Sequence, residues 1–197
     1  MAIGIIGAGN IGQAIAIQML RAGQEVLISN KSGPESLAEV IEKLGPGSRA
    51  VTVEEAAAAD VVAAAIPWDF IPDALGSLPD WGGRIVIDAN NAVTQPDFKA
   101  ADLGGRSSSE VFAELVPGAR VVKTANILLA ARLAEDPVVE GGRRVLFMSG
   151  DDQDAKDTVG GLFTEAGFRM VDLGPLANGQ LYQVPGNPLA RSLIATD

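Results

Sequence analysis

The sequence contains neither cysteine nor histidine. Without cysteine, disulfide bonds, thiolate nucleophiles, thiolate-bound zinc and iron–sulfur clusters are excluded. Without histidine, Ser-His catalytic triads are excluded, and the most common general base and metal ligand is missing. Any chemistry must therefore come from carboxylates, Lys, Tyr, Ser or Thr, or from a bound cofactor, and we expect no metal site.

Basic residues and long apolar runs are also scarce. The 197 residues include 15 Lys and Arg against 25 Asp and Glu, which gives a net charge of −10. Neutralising nucleic-acid phosphates needs a basic surface. The most apolar stretch, residues 56–66, is interrupted by Asp60 and is too short to span a membrane, and the first apolar run follows Met1 without the basic residues of a signal peptide. We therefore expect a cytoplasmic protein with no nucleic-acid or membrane partner.

Hydrophobic residues are plentiful, at 47%, and they occur in short runs that alternate with helical patterns. The runs are apolar throughout, as in parallel strands that are covered on both faces. This rhythm predicts an α/β fold with a doubly wound, mostly parallel sheet in a single domain. The tail, residues 174–197, is rich in Gly, Pro and Asn and predicts a loop with a short helix at 189–194. We predict helices at 11–22, 34–44 and 152–166, and strands at 2–6, 25–29, 49–53, 60–66, 84–88, 119–123, 144–148 and 168–173.

A glycine-rich turn between the first strand and the first helix is the strongest motif. The segment Gly7-Ala8-Gly9-Asn10-Ile11-Gly12 has the spacing GxGxxG in its required strand–turn–helix context. Gly7 permits the tight turn, Gly9 lets the backbone approach a pyrophosphate, and Gly12 lets the helix pack on the strand. The helix N-terminus offers free N–H groups to the phosphates. This turn, including Asn10 and Ile11, is predicted to bind a dinucleotide.

The end of the second strand indicates which dinucleotide is bound. NAD sites place a carboxylate there for the ribose hydroxyls, but here the residues are Ser29, Asn30, Lys31 and Ser32, and the first carboxylate is Glu35. One cation and three hydrogen-bonding side chains suit a 2′-phosphate. The segment therefore predicts NADP(H) rather than NAD, with a solvated polar turn as the alternative interpretation.

Two further segments follow strands at the same sheet edge, where ligands bind in open α/β folds. Ile66 and Pro67 are predicted to line the nicotinamide pocket, and Trp68 either stacks on a ring of the acceptor or covers a neighbouring helix. After the fifth strand, Ala89 and Asn90 are predicted to contact the cofactor, with Asn90 holding a carboxamide or ribose. The alternative for this second segment is a turn stabilised by asparagine.

The sixth strand ends in a segment that contains Lys123 and Asn126. Either residue could belong to an acceptor pocket, whereas Lys123 could instead pair with a neighbouring carboxylate. Tyr182 lacks the Tyr-x-x-x-Lys spacing of carbonyl reductases, and we expect it to pack at a subunit contact. Ser107 and Glu110 have the spacing of a helix capping box and are interpreted as structural.

Taken together, these stretches resemble the NADPH-dependent coenzyme F-420 reductases. The similarity spans nearly the whole chain, with departures at Ala125 and Ile127 where the acceptor would lie. The resemblance implies a Rossmann-type domain, with a core at about 1–124 and a small strand–helix–strand extension and tail at about 125–197. It also implies a homodimer and hydride transfer between NADP(H) and a deazaflavin. A similar domain forms the cytosolic part of membrane metalloreductases, where the acceptor is a flavin. The segments that carry the resemblance are GIIGAGNIGQAIA, SNKSGPESL, AIPWDFIPDAL, IVIDANN, PGARVVKTANIL, RVLFMSGDDQDAK and GFRMVDLGPL.

The scarcity of acid–base residues favours one reaction class. Reduction of a carbonyl needs a proton donor, whereas hydride transfer to a flavin-like ring needs mainly alignment and exclusion of water. We therefore predict an NADPH-dependent oxidoreductase for a deazaflavin, a flavin or a similar planar acceptor, without a catalytic side chain. One alternative is an NADPH-binding sensor without turnover. Another is a reductase of a small carbonyl or imine, although such enzymes add a long helical domain that the residues after Leu173 cannot supply. The last is a structural domain without ligand.

Overall fold

A computed structural model describes residues 1–78 and 80–196. The predicted domain extends to Asp197, which lies outside the described residues. The strands are β1 (Ala2–Ile6), β2 (Glu25–Ser29), β3 (Ser48–Ala50), β4 (Val61–Ala64), β5 (Ile85–Asp88), β6 (Val93–Thr94), β7 (Lys99–Ala100), β8 (Arg120–Lys123), β9 (Val138–Val139), β10 (Gly142–Gly150), β11 (Arg169–Asp172) and β12 (Ile194–Ala195). The helices are α1 (Asn10–Arg21), α2 (Ala38–Leu44), α3 (Val53–Ala57), α4 (Ile71–Leu75), α5 (Ser108–Leu115), α6 (Ala130–Ala134) and α7 (Gln153–Glu165), with 3₁₀ turns at Pro34–Leu37, Trp68–Phe70 and Leu176–Tyr182.

The main sheet has the strand order β11-β10-β8-β5-β4-β1-β2-β3. From β3 to β8 all neighbours are parallel, and β10 is antiparallel to β8. The chain winds outward from β1 in both directions, so the strand order reverses between β1 and β4, where open α/β sheets bind ligands. The prediction of a Rossmann-type, mostly parallel sheet is confirmed.

Both faces of the sheet are buried at its central strands β1 and β4, which explains why these strands are apolar throughout. In β1, Ile3 and Ile5 pack in one hydrophobic cluster with α1 and α7, whereas Ile6 packs in a second cluster with Phe112 of α5. The same alternation holds in β4, because successive side chains of a strand point to opposite faces. The helices thus enclose the sheet and leave its edge of strand ends for a ligand.

The carboxyl-terminal tail differs from the prediction. The helix predicted at 189–194 is wrong, because Ile194–Ala195 pairs antiparallel with β10 and the 3₁₀ turn lies earlier, at Leu176–Tyr182. The first half of β10 explains the difference: the amide of Val145 donates to the carbonyl of Leu193 at 2.9 Å, so the tail satisfies backbone groups that would otherwise lack partners. The predicted helix at 34–44 also begins as a 3₁₀ turn.

The segment after β8 adds to the same sheet rather than forming a separate layer. The predicted strand–helix–strand is β10, α7 and β11, with β10 and β11 parallel. A short antiparallel hairpin, β6–β7, stands outside the sheet and carries Phe98 between its strands. Within the described residues, every helix falls short of the length and apolarity that a membrane span requires.

Candidate active site

The last residues of five parallel strands lie side by side at one edge of the sheet. Ser29, Ile6, Ala64, Asp88 and Lys123 are successive register partners across β2, β1, β4, β5 and β8. Two cavities of about 650 Å³ each open at this edge. We call them the Lys31 cavity and the Trp68 cavity, after one lining residue of each. Both are lined by Gly9, Ala65, Ile66 and Pro67, so the two cavities adjoin over the glycine turn, and we refer to them together as the cleft.

The glycine turn has the geometry that its spacing predicts. Gly7 has a φ of +106°, and a Cβ there would overlap the carbonyl oxygen of Ala65. A Cβ on Gly12 would overlap the carbonyl oxygen of Gly7, so α1 packs closely on the turn. At Gly9 a Cβ would meet nothing within 4 Å, because this residue faces the open cleft. The backbone of α1 therefore begins where a pyrophosphate could approach it.

Lys31 lies at the rim of the cavity named after it. Its Nζ is 5.6 Å from the centre of the Phe70 ring, within range of a cation–π contact. Among the described residues, no carboxylate lies within ion-pair distance of Lys31. Glu54 and Asp73 also line this cavity, and Lys31 is the one cation among its described lining residues.

The other polar residues of this turn differ in their accessibility. The Oδ1 of Asn30 accepts from the backbone amide of Ser32 at 2.9 Å, which fixes the turn, and Asn30 lines the Lys31 cavity. Ser32 is exposed and does not line it. Ser29 is fully buried and its hydroxyl donates to the carbonyl of Ile5 at 3.0 Å. The structure thus brings Asn30 and Lys31 to the cleft, but not the Ser29 side chain.

The Trp68 cavity is uncharged and mostly apolar. Trp68 lies in the wall beside Ile66 and Pro67, and two exposed side chains, Phe98 of the hairpin and Leu129, also line it. Amide groups supply its polar surface. Their residues are Asn10, Asn90, Asn91, Gln95 and Asn126.

Asn90 joins the two loops that follow β4 and β5. Its Oδ1 accepts from the backbone amide of Ile66 at 2.8 Å, and its Nδ2 donates to Oδ1 of Asp88 at 3.0 Å. The other Asp88 oxygen accepts from the hydroxyl of Ser109 at 2.6 Å and lies 3.2 Å from Nζ of Lys123. Lys123 also donates to the backbone carbonyl of Asn90 at 2.8 Å. A buried ion pair therefore holds Asn90 in place from beneath.

Lys123 itself does not reach the cleft. Its side chain is fully buried, as is that of Asp88. Of the two predicted roles, the structure places Lys123 in the pairing with a neighbouring carboxylate. Asp88 was missed as a partner, although the sequence held a signal: adjacent strands predicted at 84–88 and 119–123 both end in a charged residue, and the two charges are opposite.

Asn126 lines the Trp68 cavity, and its orientation is fixed by its neighbours. Its Nδ2 donates to Oδ1 of Asn91 at 3.0 Å and to the carbonyl of Tyr182 at 3.1 Å. Two acceptors determine which end of the amide is nitrogen, and the buried Oδ1 is left without a partner among the described residues. The preceding residue, Ala125, has a φ of +59°, which is strained for a residue with a Cβ. Such strain is often found at functional sites.

Tyr182 is fully buried within the chain, which corrects the prediction that it packs at a subunit contact. Its hydroxyl is 2.7 Å from the hydroxyl of Ser149 and donates to the carbonyl of Lys123 at 2.9 Å. Burial raises the pKa of this phenol far above its usual value, so it stays neutral. Tyr182 is a support for the end of β8.

The capping box predicted from Ser107 and Glu110 is present. The hydroxyl of Ser107 accepts from the Glu110 amide at 3.2 Å, and the Glu110 carboxylate accepts from the Ser107 amide at 2.9 Å. These hydrogen bonds lower the pKa of Glu110 below its usual value. The cap begins α5 at the point where Ser109 meets Asp88, so it helps to position the buried ion pair.

Comparisons with known proteins agree with this geometry. Residues 2–92 match the model of a family described as NADP oxidoreductase, coenzyme F420-dependent. A solved structure of a hypothetical protein from Sinorhizobium meliloti is 47% identical and superposes with a TM-score of 0.92, covering 99% of this chain and 96% of that chain. A candidate F420-dependent NADP reductase from Arthrobacter sp. FB24 superposes with a TM-score of 0.73 at 23% identity, over 89% of this chain and 86% of that one.

A curated relative adds a different acceptor to the comparison. The metalloreductase STEAP3 of Rattus norvegicus is 27% identical over 180 residues, which is 90% of this chain. The chain spans about a third, 35%, of the length of that relative. The similarity therefore concerns one part of the rat protein.

Proposed function

Since residues 2–92 match the model of the coenzyme F420-dependent NADP oxidoreductase family, we propose that the protein binds NADP(H) along the cleft and transfers a hydride between the nicotinamide and a planar acceptor. The observation that carries this proposal is that the two cavities adjoin over the glycine turn. A cavity that contains Lys31 and an uncharged cavity meet over Gly9, Ile66 and Pro67. A dinucleotide has the same polarity, with a charged adenosine phosphate at one end and a flat neutral amide-bearing ring at the other.

The residues divide the work along the cofactor. Gly7, Gly9 and Gly12, with the amides of Asn10 and Ile11, hold the pyrophosphate at the start of α1. Asn30 and Lys31 bind the 2′-phosphate, with Ser29 and Ser32 shaping their turn. The remaining contacts belong to the nicotinamide end, where we assign Ile66, Pro67, Ala89 and Asn90.

The acceptor occupies the rest of the Trp68 cavity, beside Trp68 and Asn126. Lys123 acts from beneath as a positioning residue, because it holds the backbone of Asn90 rather than touching a ligand. NADPH supplies the hydride, and the protein aligns the two rings at about 3–3.5 Å and excludes water. A deazaflavin or a flavin meets these requirements.

Cofactor binding and turnover are tested separately with matched glycine variants. A Cβ at Gly9 or at Gly161 meets nothing within 4 Å, so Gly9→Ala and Gly161→Ala are both expected to fold. We expect Gly9→Ala to weaken NADPH binding by about tenfold or more, which is about 1.4 kcal/mol, and Gly161→Ala to leave it unchanged. Calorimetry measures binding, and nicotinamide absorbance follows oxidation with deazaflavin, flavin and quinone acceptors. Tight binding without any oxidation would favour a sensor instead.

We further propose that the protein works in the cytoplasm as a homodimer. Exposed apolar side chains of the tail, Leu181, Leu193 and Ile194, support a contact between subunits. Sedimentation of wild type and Leu193→Asp tests the dimer: we expect the variant to dissociate at concentrations where wild type does not. If wild type and Leu193→Asp both sedimented as monomers, the homodimer would be contradicted.

A further inference from the structure

The Trp68 cavity has a buried floor and an apolar rim that is exposed to water. Ile66, Ala89 and Asn90, which line its floor, are all at least nine-tenths buried. Phe98 and Leu129 line it too, but 69% and 82% of their respective surfaces are exposed. Because apolar surface gains free energy when it leaves water, the Phe98 ring would be stabilised by any flat apolar group that enters the cavity.

The backbone at Phe98 is as unusual as its exposure. Phe98 is the last residue of the turn between β6 and β7, and its φ is +52°. Glycine and asparagine adopt this left-handed conformation readily, whereas a residue with a larger side chain is strained there. Among the described residues, Ala125 is the only other non-glycine residue with a positive φ, and it precedes Asn126 of the same cavity. The local conformation therefore does not favour phenylalanine at this position, and strain of this kind is common at functional sites.

A hydrogen bond ties the turn that carries Phe98 to the segment that carries Trp68. The carboxylate of Asp69, which follows Trp68 in the chain, accepts from the backbone amide of Gln95 at 2.9 Å. Within the hairpin, the hydroxyl of Thr94 donates to the carbonyl of Lys99 at 3.3 Å. The hairpin stands outside the main sheet, so the bond to Asp69 helps to hold Phe98 at the rim.

We infer that the ring of Phe98 stacks on the outer face of the hydride acceptor. The inference rests on the proposed function, which assigns the nicotinamide to the floor of the Trp68 cavity. Hydride transfer requires one face of the acceptor ring to lie against the nicotinamide, so the other face is turned toward the rim.

A phenyl ring suits that outer face better than an aliphatic side chain does. Two aromatic rings attract each other in offset stacking, and the contact also keeps water away from the reacting carbons. The contact involves only the ring of the acceptor, so it is available to flavins and deazaflavins with or without phosphate groups. Leu129, the other exposed residue of the rim, has no aromatic face to offer.

The test measures turnover of riboflavin, FMN and coenzyme F-420 by wild type and by variants of Phe98. For each acceptor that wild type reduces, we expect Phe98→Ala to lower kcat/KM by about tenfold. The change should appear mainly in the KM of the acceptor, because the lost contact is present before and during hydride transfer. Phe98→Tyr keeps the aromatic face and should stay within about threefold of wild type. The affinity for NADPH, measured by calorimetry, should be the same in all three proteins.

Three further variants separate a contact with the acceptor from a role in folding. Phe98→Gly removes the ring and also relieves the left-handed strain, so its urea midpoint should not fall below that of wild type, although its kcat/KM should fall as in Phe98→Ala. Val138→Ala shortens a side chain that is 55% exposed and lies outside the described lining of the cleft, and it should leave turnover unchanged. Asp69→Ala, which loses the bond to Gln95, should raise the KM of the acceptor by about threefold relative to Asp69→Asn, which keeps an oxygen for it.

The outcomes separate the inference from the proposed function. Turnover by Phe98→Ala that equals that of wild type, or equal losses in Phe98→Ala and Phe98→Tyr, overturns the inference and leaves the oxidoreductase intact. A change in sedimentation with an unaltered KM for the acceptor would assign the ring to a contact between subunits, which also overturns it. If wild type oxidises NADPH with none of the acceptors, both fail. A loss in Phe98→Ala and Phe98→Gly that Phe98→Tyr restores, at unchanged NADPH affinity, supports the inference.

Discussion

Lys31 and Lys123 both follow strands that end at the same edge of the sheet, yet their surroundings are opposite. Lys31 is exposed over the Phe70 ring, with no carboxylate within ion-pair distance among the described residues. Lys123 is fully buried and lies 3.2 Å from the Asp88 carboxylate. One lysine is therefore available to a ligand, and the other supports the loop that a ligand would touch.

The difference follows from where each lysine stands relative to the strand end. Lys123 is the last residue of β8 and shares a face and a register position with Asp88, so the two side chains meet as cross-strand neighbours. The tail then covers them: a Cβ on Gly179 would lie 2.7 Å from Cδ of Lys123. Lys31 lies two residues beyond β2, in a turn that is free to face the cleft. A ligand role is thus better predicted for residues beyond a strand than for its last residue.

The comparison is tested most strongly by removing each charge in turn. Lys123→Met leaves the Asp88 carboxylate buried without its partner, so the free energy of unfolding should fall by about 3–5 kcal/mol. Lys31→Met should change it by less than about 0.5 kcal/mol, as expected for a surface substitution. Urea unfolding measures both.

A double variant keeps this prediction testable if Lys123→Met does not fold. Replacing both members of the pair, as in Asp88→Leu with Lys123→Met, should recover much of the loss, because buried pairs can often be exchanged for apolar groups. Equal stability of wild type and the single variant would mean that the pair does not matter.

The second prediction concerns ligand binding, for which Lys31 is expected to matter more than Lys123. Lys31→Gln should weaken NADPH binding by about tenfold, through loss of charge-assisted hydrogen bonds to the 2′-phosphate. Binding of NADH should not change. Lys43→Gln, at an exposed lysine of α2, is the control, and calorimetry measures all three. Parallel losses for NADPH and NADH would contradict the role of Lys31.

The third prediction concerns Tyr182, which supports the backbone of the buried Lys123. Tyr182→Phe removes the hydroxyl that donates to the Lys123 carbonyl, and it should lower the free energy of unfolding by about 1–2 kcal/mol. Burial raises the pKa of Tyr182 above the value near 10 of the unfolded chain, so the unfolded state loses its proton first as pH rises. The contribution of Tyr182 is therefore complete below pH 10 and decreases above it.

Stability measurements between about pH 9 and pH 11 check this sign. Since the chain has a single tyrosine, the difference between wild type and Tyr182→Phe isolates the phenol from the lysines. That difference should shrink as pH rises. A constant difference across the range would indicate a phenol that ionises equally in both states.

The smallest expected effect comes from Glu110. Its carboxylate is partly exposed, whereas that of Asp88 is buried. Glu110→Ala breaks the capping box at the start of α5 and should cost at most about 1 kcal/mol at neutral pH. Hydrogen bonds from Ser107 lower the pKa of Glu110, so its contribution is present above pH 4.5 and is lost as pH falls below that value. Acid titration of both proteins by circular dichroism checks this. If Glu110→Ala lowered the free energy of unfolding as much as Lys123→Met does, the distinction between exposed and buried charges would not hold.

Much of the fold could be predicted from local pattern, because apolar strands and amphipathic helices carry their own periods. Strand β1, the glycine turn and β2 occur at the predicted residues. The tail could not be predicted in the same way. Strand β12 forms because β10 offers unpaired backbone groups about fifty residues earlier in the chain, and residues 189–194 contain no local signal for that contact.

The same limit applies to the candidate site. Lys31, Ile66 and Pro67 line the cleft because they follow strands directly, and the strand ends could be located from sequence. Phe98 and Leu129 reach the Trp68 cavity from a hairpin and a loop whose placement depends on tertiary packing. The fixed orientation of Asn126 depends likewise on Asn91 and Tyr182, which are distant in sequence.

The hydrogen bonds that Asn90 makes to Ile66 and Asp88 fix the spacing between two loops of the site. An amide side chain has one length, so the gap between the two loops is set by covalent geometry and not by the flexibility of either loop. The part of the wall that Ile66 contributes to both cavities is therefore held at a fixed distance from the end of β5, whichever ligand lies against it.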